Sequence, residues 1–415
     1  MERVVSRVNM EQAWRRVRSN RGGPGVDGVT IAEYATIARA TWGDVKTALL
    51  EGRYVPSPVR RVSIPKPSGG ERQLGIPTVQ DRLLQQALLQ VLTPMFDPGF
   101  SESSFGFRPG RSAHGAVRQV KSHVSDGHRY AVDLDLEKFF DRVQHDVLMR
   151  LVARRVRDHR VLRLIGRFLR ADMSLGGVLE SRREGTPQGG PLSPLLANIL
   201  LHELDVELER RGLRFARYAD DLLILVRSRR AGDRVMASVR HWLQVRLRLV
   251  VNEAKSKVAL VSQCSFLGFV VVGRRVKISP AAKAKFERRI RELTGRNRGV
   301  SVSRHIADVN AFAMGWIAYF GLSEVWRDWR RWDEWLRRRF RVVLLKHWKR
   351  PWTRFKNLVA LGASRHQAYR IVGSRKGPTR LSKSPAVHAA LDERWFDQQG
   401  LLRLEERWFA LAHLR

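Results

Sequence analysis

The sequence predicts an α+β fold followed by an α-helical region, on three observations. Between residues 130 and 272, short strands with embedded acids alternate with amphipathic helices in mixed order. Ahead of them lies an alternating stretch broken by turn formers. From about Ser279 the pattern turns helical and very basic, with tryptophans set between arginines.

Residues 1–59 begin with the helical pattern MEQAWRRVRSN and break at RGGPGVDG, where four glycines and a proline demand a tight loop. A second helical segment runs from about Ile31 to Glu51. In VRRVSIPKPSGGERQLGIP, Pro65, Pro67 and the Gly69-Gly70 pair interrupt an alternating run, which predicts a β-hairpin. VQDRLLQQALLQVL then follows at helical spacing. The strands YAVDLDL, FARY and LLILV interleave with the helices HDVLMRLVARRV, LSPLLANILLHELDVELERR and DRVMASVRHWLQVRL, which suggests a sheet with helices on one face. Shifts in pattern divide the chain into an N-terminal extension (1–59), zones at 60–130 and 130–272, and a separate helical module from about Ser279, with a basic, loop-rich stretch, GSRKGPTRLSKSPAVHAAL, near the end.

The chain has 415 residues, 43% of them hydrophobic, enough for a sizeable core and for two or three domains of roughly 100 to 200 residues. Seventy-seven Lys and Arg against 40 Asp and Glu give a formal net charge of +37. That excess points to a polyanionic partner. Arginine greatly outnumbers lysine, and its planar fork suits phosphates and stacked bases, so structured RNA is favoured over a membrane surface. An arginine-rich proteome would explain the Arg-to-Lys ratio but not the excess over acids. The single Cys264 excludes an internal disulfide and a cysteine-rich zinc module, and favours a reducing compartment. MERVVSRVNM lacks the apolar core of a signal peptide, and AFAMGWIAYFGL is too short to span a bilayer. The expectation is a cytoplasmic protein without a membrane partner.

RYADDLLILV places Asp220 and Asp221 together between apolar runs, at the tip of a predicted hairpin where neither is the glycine such a turn favours. Adjacent carboxylates repel, and a shared divalent cation is the simplest stabiliser. Mg²⁺ suits oxygen ligands and keeps phosphates in its shell. YAVDLDLEKFFDRV supplies a third acid, with Asp133 and Asp135 on one face and Asp135 at the strand's exit. Asp135, Asp220 and Asp221 could hold two metal ions for nucleotidyl transfer between a primer 3′ end and a nucleoside triphosphate. An isolated YADD would read as a polar hairpin tip.

Several further segments agree with the first reading. NRGGPGVDG (20–28), RRVSIPKPSGGERQLGIPTVQDRLLQQAL (60–88), SFGFRPGRSAHGAV (104–117), DLDLEKFFDRVQHD (133–146), GTPQGGPLSPLLANILLHELD (185–205), RYADD (217–221) and SFLGF (265–269) occur in this order. Together they make the chain resemble the reverse transcriptase/maturase proteins encoded by bacterial group II introns. The resemblance implies a right-hand polymerase, with fingers and palm over 60–275, an α-helical thumb and maturase-specific region over 276–360, and a DNA-binding-like tail over 361–415. It places Asp135, Asp220 and Asp221 on the family's metal-binding positions, with two Mg²⁺ as cofactor. It sets Lys66 and Arg72 on the triphosphate, and Gln188 and Gly189 in the nucleotide and template pocket. Phe140 falls where the family sets an aromatic against the incoming sugar, with ordinary core packing beside Phe139 as the competing reading.

The implied function is an RNA-directed DNA polymerase that binds its group II intron RNA, assists splicing and copies the intron into target DNA during mobility. Its partners would be that RNA, target DNA, primer and dNTPs. Relatives that append a nuclease with cysteine pairs differ from this chain, so second-strand nicking is not expected of it. Alternatives are a domesticated reverse transcriptase used in phage defence or diversity generation, and a non-enzymatic splicing factor. The intact YADD, Asp135, Lys66 and Arg72 argue against the last. Asp27 reads as a turn former, Asp81, Asp141 and Asp146 as caps or ion-pair partners, and His114 and His145 as structural. At helical spacing most tryptophans of the C-terminal zone read as core.

Overall fold

The structure, a computed structural model, describes residues 1–65 and 71–412, the side chains of Arg72 and Ala412 excepted. Its backbone contacts divide the chain into two compact units, Met1–Cys264 and Ser265–Arg415.

In chain order the strands of the first unit are β1 (Val59–Pro65), β2 (Glu71–Ile76), β3 (Tyr130–Leu134), β4 (Met173–Leu175), β5 (Val178–Glu180), β6 (Arg214–Tyr218), β7 (Asp221–Val226) and β8 (Lys257–Leu260). β1 and β2 form the expected antiparallel hairpin, and β1 also pairs in parallel with β4, giving the order β2–β1–β4–β5. The second sheet runs β6–β7–β3–β8 and is antiparallel throughout. The β4–β5 hairpin and β8 were not foreseen, because three- and four-residue strands are too short to display a period.

Val132, Leu134, Phe215, Leu222 and Ile224 share one face of the second sheet and enter a single apolar core. The helices Val79–Phe96, His145–Ala153, Ser193–Arg210 and Arg229–Trp242 contribute to the same core. So do Ala13 and Val17 of the helix Arg7–Ser19, and Tyr34 and Leu49 of the helix Ile31–Leu50. The N-terminal residues are therefore built into the first unit. The second of these helices starts at a capping box, in which the Thr30 hydroxyl accepts from the Glu33 amide and the Glu33 carboxylate accepts from the Thr30 amide.

The second unit opens with an antiparallel hairpin, β9 (Phe269–Val272) and β10 (Arg275–Ile278), so the expected edge at 275 lies within it. The helices Pro280–Leu293, Val302–Phe320 and Trp326–His347 follow. Phe286 anchors an aromatic core, with ring centroids 4.2 Å from Trp332 and 5.2 Å from Trp316. Trp316, Trp329 and Trp332 are buried, as the core reading expects, whereas Trp326 and Trp352 are exposed.

The tail departs from the loop-rich expectation. It forms the helices Arg365–Val372, Pro385–Ala390, Glu393–Gln398 and Leu404–Ala412, among others. Pro378 and Pro385 stand in first turns, where their missing N–H costs nothing, so residues read as loop formers begin short helices. Asp333 accepts hydrogen bonds from the Leu404 and Glu405 amides, at 2.8 and 2.9 Å, and so caps the last helix from the side of Trp326–His347. No helix among the described residues is long and apolar enough to cross a membrane.

Candidate active site

The β6–β7 hairpin closes with Tyr218 paired to Asp221, leaving Ala219 and Asp220 as its turn. Ala219 takes the left-handed conformation, at φ +57°, so the residue with special backbone demands is the alanine and not an aspartate. β3 lies beside β7 with Leu134 opposite Leu222 and Asp133 opposite Leu223. Continuing that register by one residue brings Asp135 opposite Asp221. The fold thus gathers the three expected acids at one end of the sheet.

Asp135 is held by its backbone: its amide donates to the Ser256 hydroxyl at 3.0 Å, and its carbonyl accepts from the Asn252 amide at 2.8 Å. The Lys255 ammonium lies 3.7 Å from its carboxylate. Although the rim of Asp221 is open to solvent, enclosure by the surrounding cleft and then the charges of Asp220, Asp135 and Asp133 push its carboxyl up to about 6. Asp133 is raised as well, chiefly by burial and against the pull of Lys257. Among the described residues no three His, Cys, Asp or Glu side chains are drawn close enough to form a finished metal cage. The donor set nonetheless suits a hard divalent cation: all three groups offer carboxylate oxygens, and their mutual repulsion is what such an ion would relieve.

Around the tip, the segment 103–107 supplies the support. The Phe105 amide donates to the Arg217 carbonyl and the Arg217 amide to the Ser103 carbonyl, both at 2.8 Å. A Cβ on Gly106 would stand 2.2 Å from the Ala219 nitrogen, so only glycine allows this approach. Phe107 lies 6.1 Å from the Tyr218 ring. Beneath the turn, the buried Arg217 and Asp205 form an ion pair. Sequence reading missed Arg217, Asp205, Asn198 and Lys255. The alternation of β6 did carry a signal, since it puts Arg217 on the same apolar face as Phe215.

The loop 185–190 forms the second wall. The Gly75 amide donates to the Gln188 carbonyl at 2.8 Å, and a Cβ on Gly189, at φ +136°, would meet the Gly75 carbonyl at 2.4 Å. The Thr186 amide donates to the Phe140 carbonyl at 2.7 Å, joining this loop to the segment that follows Asp135. Phe140, Gln188 and Gly189 consequently line one cavity of about 410 Å³ together with Leu74, Arg82 and Phe107. Phe139 is buried, and Phe140 stacks edge-on against it at 5.1 Å and also lines the cavity. Lys66 lies outside the described residues. The Arg72 backbone pairs with Ile64 across the β1–β2 hairpin.

Asp27, Asp81, Asp146 and His145, to which sequence reading gave no chemistry, have partners within the fold. Asp27 accepts from the Val29 amide two residues on. Asp81, buried, accepts from the Tyr54 and Thr78 hydroxyls and the Ser57 amide, and burial pushes its carboxyl up to about 6. Asp146 pairs with Arg248 at 3.2 Å. The His145 ring shares a 2.7 Å hydrogen bond with the Gly185 carbonyl, and burial holds its pKa below the usual imidazole value.

Residues 64–271 match the family model described as reverse transcriptase (RNA-dependent DNA polymerase), and residues 283–362 match the group II intron, maturase-specific domain. Protein YkfC of Escherichia coli is 33% identical over 307 residues, covering 64% of this chain and 80% of that protein. The group II intron-encoded protein LtrA of Lactococcus lactis is 40% identical over 171 residues, covering 41% of this chain and 28% of that protein. Among solved structures, a chain of a partial Cas6-RT-Cas1–Cas2 complex shares 25% identity at a TM-score of 0.37, over 58% of this chain and 42% of that one.

Proposed function

The chain belongs to the reverse transcriptase family and carries a group II intron maturase-specific domain behind the polymerase segment, and on that premise we propose that it extends a DNA primer on an RNA template at Asp135, Asp220 and Asp221. The observation that carries the assignment is the β3–β7 register, which pairs Leu134 with Leu222 and, continued by one residue, runs Asp135 toward Asp221 beside the Ala219–Asp220 turn. Held by these carboxylates, two Mg²⁺ ions would supply activation of the primer hydroxyl and charge neutralisation at the leaving pyrophosphate.

The protein's own residues orient the reactants. The primer 3′ oxygen bonds to the α-phosphorus of a dNTP, the α–β phosphoanhydride bond breaks, and pyrophosphate departs. Lys66 as a point charge and Arg72 as a fork would grip the triphosphate. Phe140, facing the cavity, would lie against the sugar, and Gln188 and Gly189 would shape the seat of the paired base. The partners in this reading are the intron's RNA, target DNA, primer and dNTPs, in the cytoplasm. The second unit would hold the RNA, with thumb and maturase residues over 276–360 and a DNA-contacting tail over 361–415.

Asp220→Ala tests the site. Primer extension on an RNA template with Mg²⁺ is expected to fall at least a thousandfold while binding of the intron RNA persists. Retained extension would overturn the assignment.

A further inference from the structure

Arg217 is 1% exposed and Asp205 is fully buried, yet neither touches the cavity where substrates would bind. The guanidinium has five N–H donors, and every one is used. Nε donates to Asp205 Oδ1 at 2.7 Å, and one Nη2 hydrogen goes to Asp205 Oδ2, a forked pair. The other Nη2 hydrogen goes to the Ser104 hydroxyl at 2.7 Å. Nη1 donates to Asn198 Oδ1 at 3.0 Å and to the carbonyl of Ala219 at 2.9 Å. Asn198 in turn donates to the Gly106 carbonyl at 2.8 Å.

One of these bonds differs in kind from the rest. Four of the five tie Arg217 to side chains of the helix Ser193–Arg210 and of Ser104, but the fifth grips the backbone of the turn itself. Ala219 occupies a left-handed conformation that an L side chain adopts only at a cost. Its carbonyl is turned inward onto Arg217, and its amide face is closed by Gly106 at a distance no side chain would allow. The residue in this clamp immediately precedes Asp220 and Asp221.

We propose that Arg217, oriented by Asp205, Asn198 and Ser104, is a positioning residue that holds the Ala219 turn in its left-handed form and so fixes Asp220 and Asp221 against Asp135 for nucleotidyl transfer. The inference rests on the reading that these aspartates form the catalytic site. It adds that their placement is set from beneath by a buried arginine. The pair therefore acts on turnover more than on substrate affinity.

The experiment measures steady-state primer extension on folded, active-site-titrated protein, with Asp220→Ala as the reference. Arg217→Lys keeps a cation for Asp205 but cannot span five acceptors. Its kcat is expected to fall about tenfold to a hundredfold, because a small misplacement of reacting groups carries losses of that order. The KM values for dNTP and template-primer are expected to stay within about threefold. Half-saturation by Mg²⁺ should move upward, which loss of global stability alone would not produce. Adding Ala219→Gly, which takes a left-handed φ freely, should recover several-fold of the lost kcat in the Arg217→Lys background, and no recovery would overturn the proposal. Should Arg217→Lys prove poorly folded, Gly106→Ala leaves the ion pair intact and presses on the Ala219 amide, and the same kcat loss is expected. Normal kcat in both Arg217→Lys and Gly106→Ala, with Asp220→Ala inactive, would overturn the proposal and leave the site assignment standing. An active Asp220→Ala would overturn that assignment instead.

Discussion

At the scale of single residues, buried charge in the first unit is organised by how completely it is satisfied. Arg217 and Asp205 form a fully bonded pair, and removing one partner of such a pair costs about 3–5 kcal/mol because the other charge is stranded. Asp81 is a contrasting case, a buried carboxyl with three neutral donors and, among the described residues, no cation in contact. Burial raises it from 3.8 to about 6. The folded state therefore keeps a proton that the unfolded chain releases, and this contribution to stability is present at pH 4 and lost as pH rises through 6. Two pH units correspond to about 3 kcal/mol. Urea unfolding of Asp81→Asn and wild type at pH 4, 5, 6 and 7 should show the variant gaining on wild type by up to that amount. A gap that does not vary with pH would assign Asp81 an ordinary, ionised role.

At the scale of elements, the site is made by turns that approach each other more closely than side chains permit. Gly106 against Ala219, and Gly189 against Gly75, each bring two segments of the site into backbone contact. In the second unit the informative elements are the helices Pro351–Ala360 and Arg365–Val372. Trp352, 58% exposed, lies parallel to Phe355 with centroids 4.9 Å apart, and Tyr369 is 67% exposed. No acidic residue occurs from Lys349 to Leu391. An open aromatic stack in an acid-free basic stretch suits an unpaired base, whose stacking contributes about 1–3 kcal/mol. Trp352→Ala is therefore expected to weaken binding of intron RNA about tenfold in a filter or anisotropy assay. An unchanged dissociation constant would assign these rings to packing alone.

At the scale of the whole molecule, the net charge of +37 is the dominant fact. It is carried by a chain whose first unit has an extended apolar core and whose second has an aromatic one, so the charge is read as acting on partners and not through chain expansion. If about six to ten cations meet phosphates, RNA affinity should fall by about three to five orders of magnitude between 50 and 200 mM salt. A nearly flat salt dependence would require recognition through bases and shape instead.

Much of this protein was legible in its sequence. The acids at a strand exit and a hairpin tip and the glycine loops marked an α+β domain with a candidate metal site, because local period and turn chemistry are written residue by residue, while the ordered motifs added the likeness to a reverse transcriptase. The burial of Trp316, Trp329 and Trp332 followed from helical spacing, while the exposure of Trp352 did not, since spacing does not say which neighbours arrive to cover a ring. Short elements such as β4 and the tail helices Pro385–Ala390 and Glu393–Gln398 were missed because three to six residues carry no readable period. Residue types able to hold a metal could be named from local pattern alone. Packing in three dimensions is what brings the end of β3 beside Asp221, closes Gly106 on Ala219 and sets Arg217 beneath the turn. Those relations join segments about a hundred residues apart in places, and register and close packing set them where local propensity has no reach.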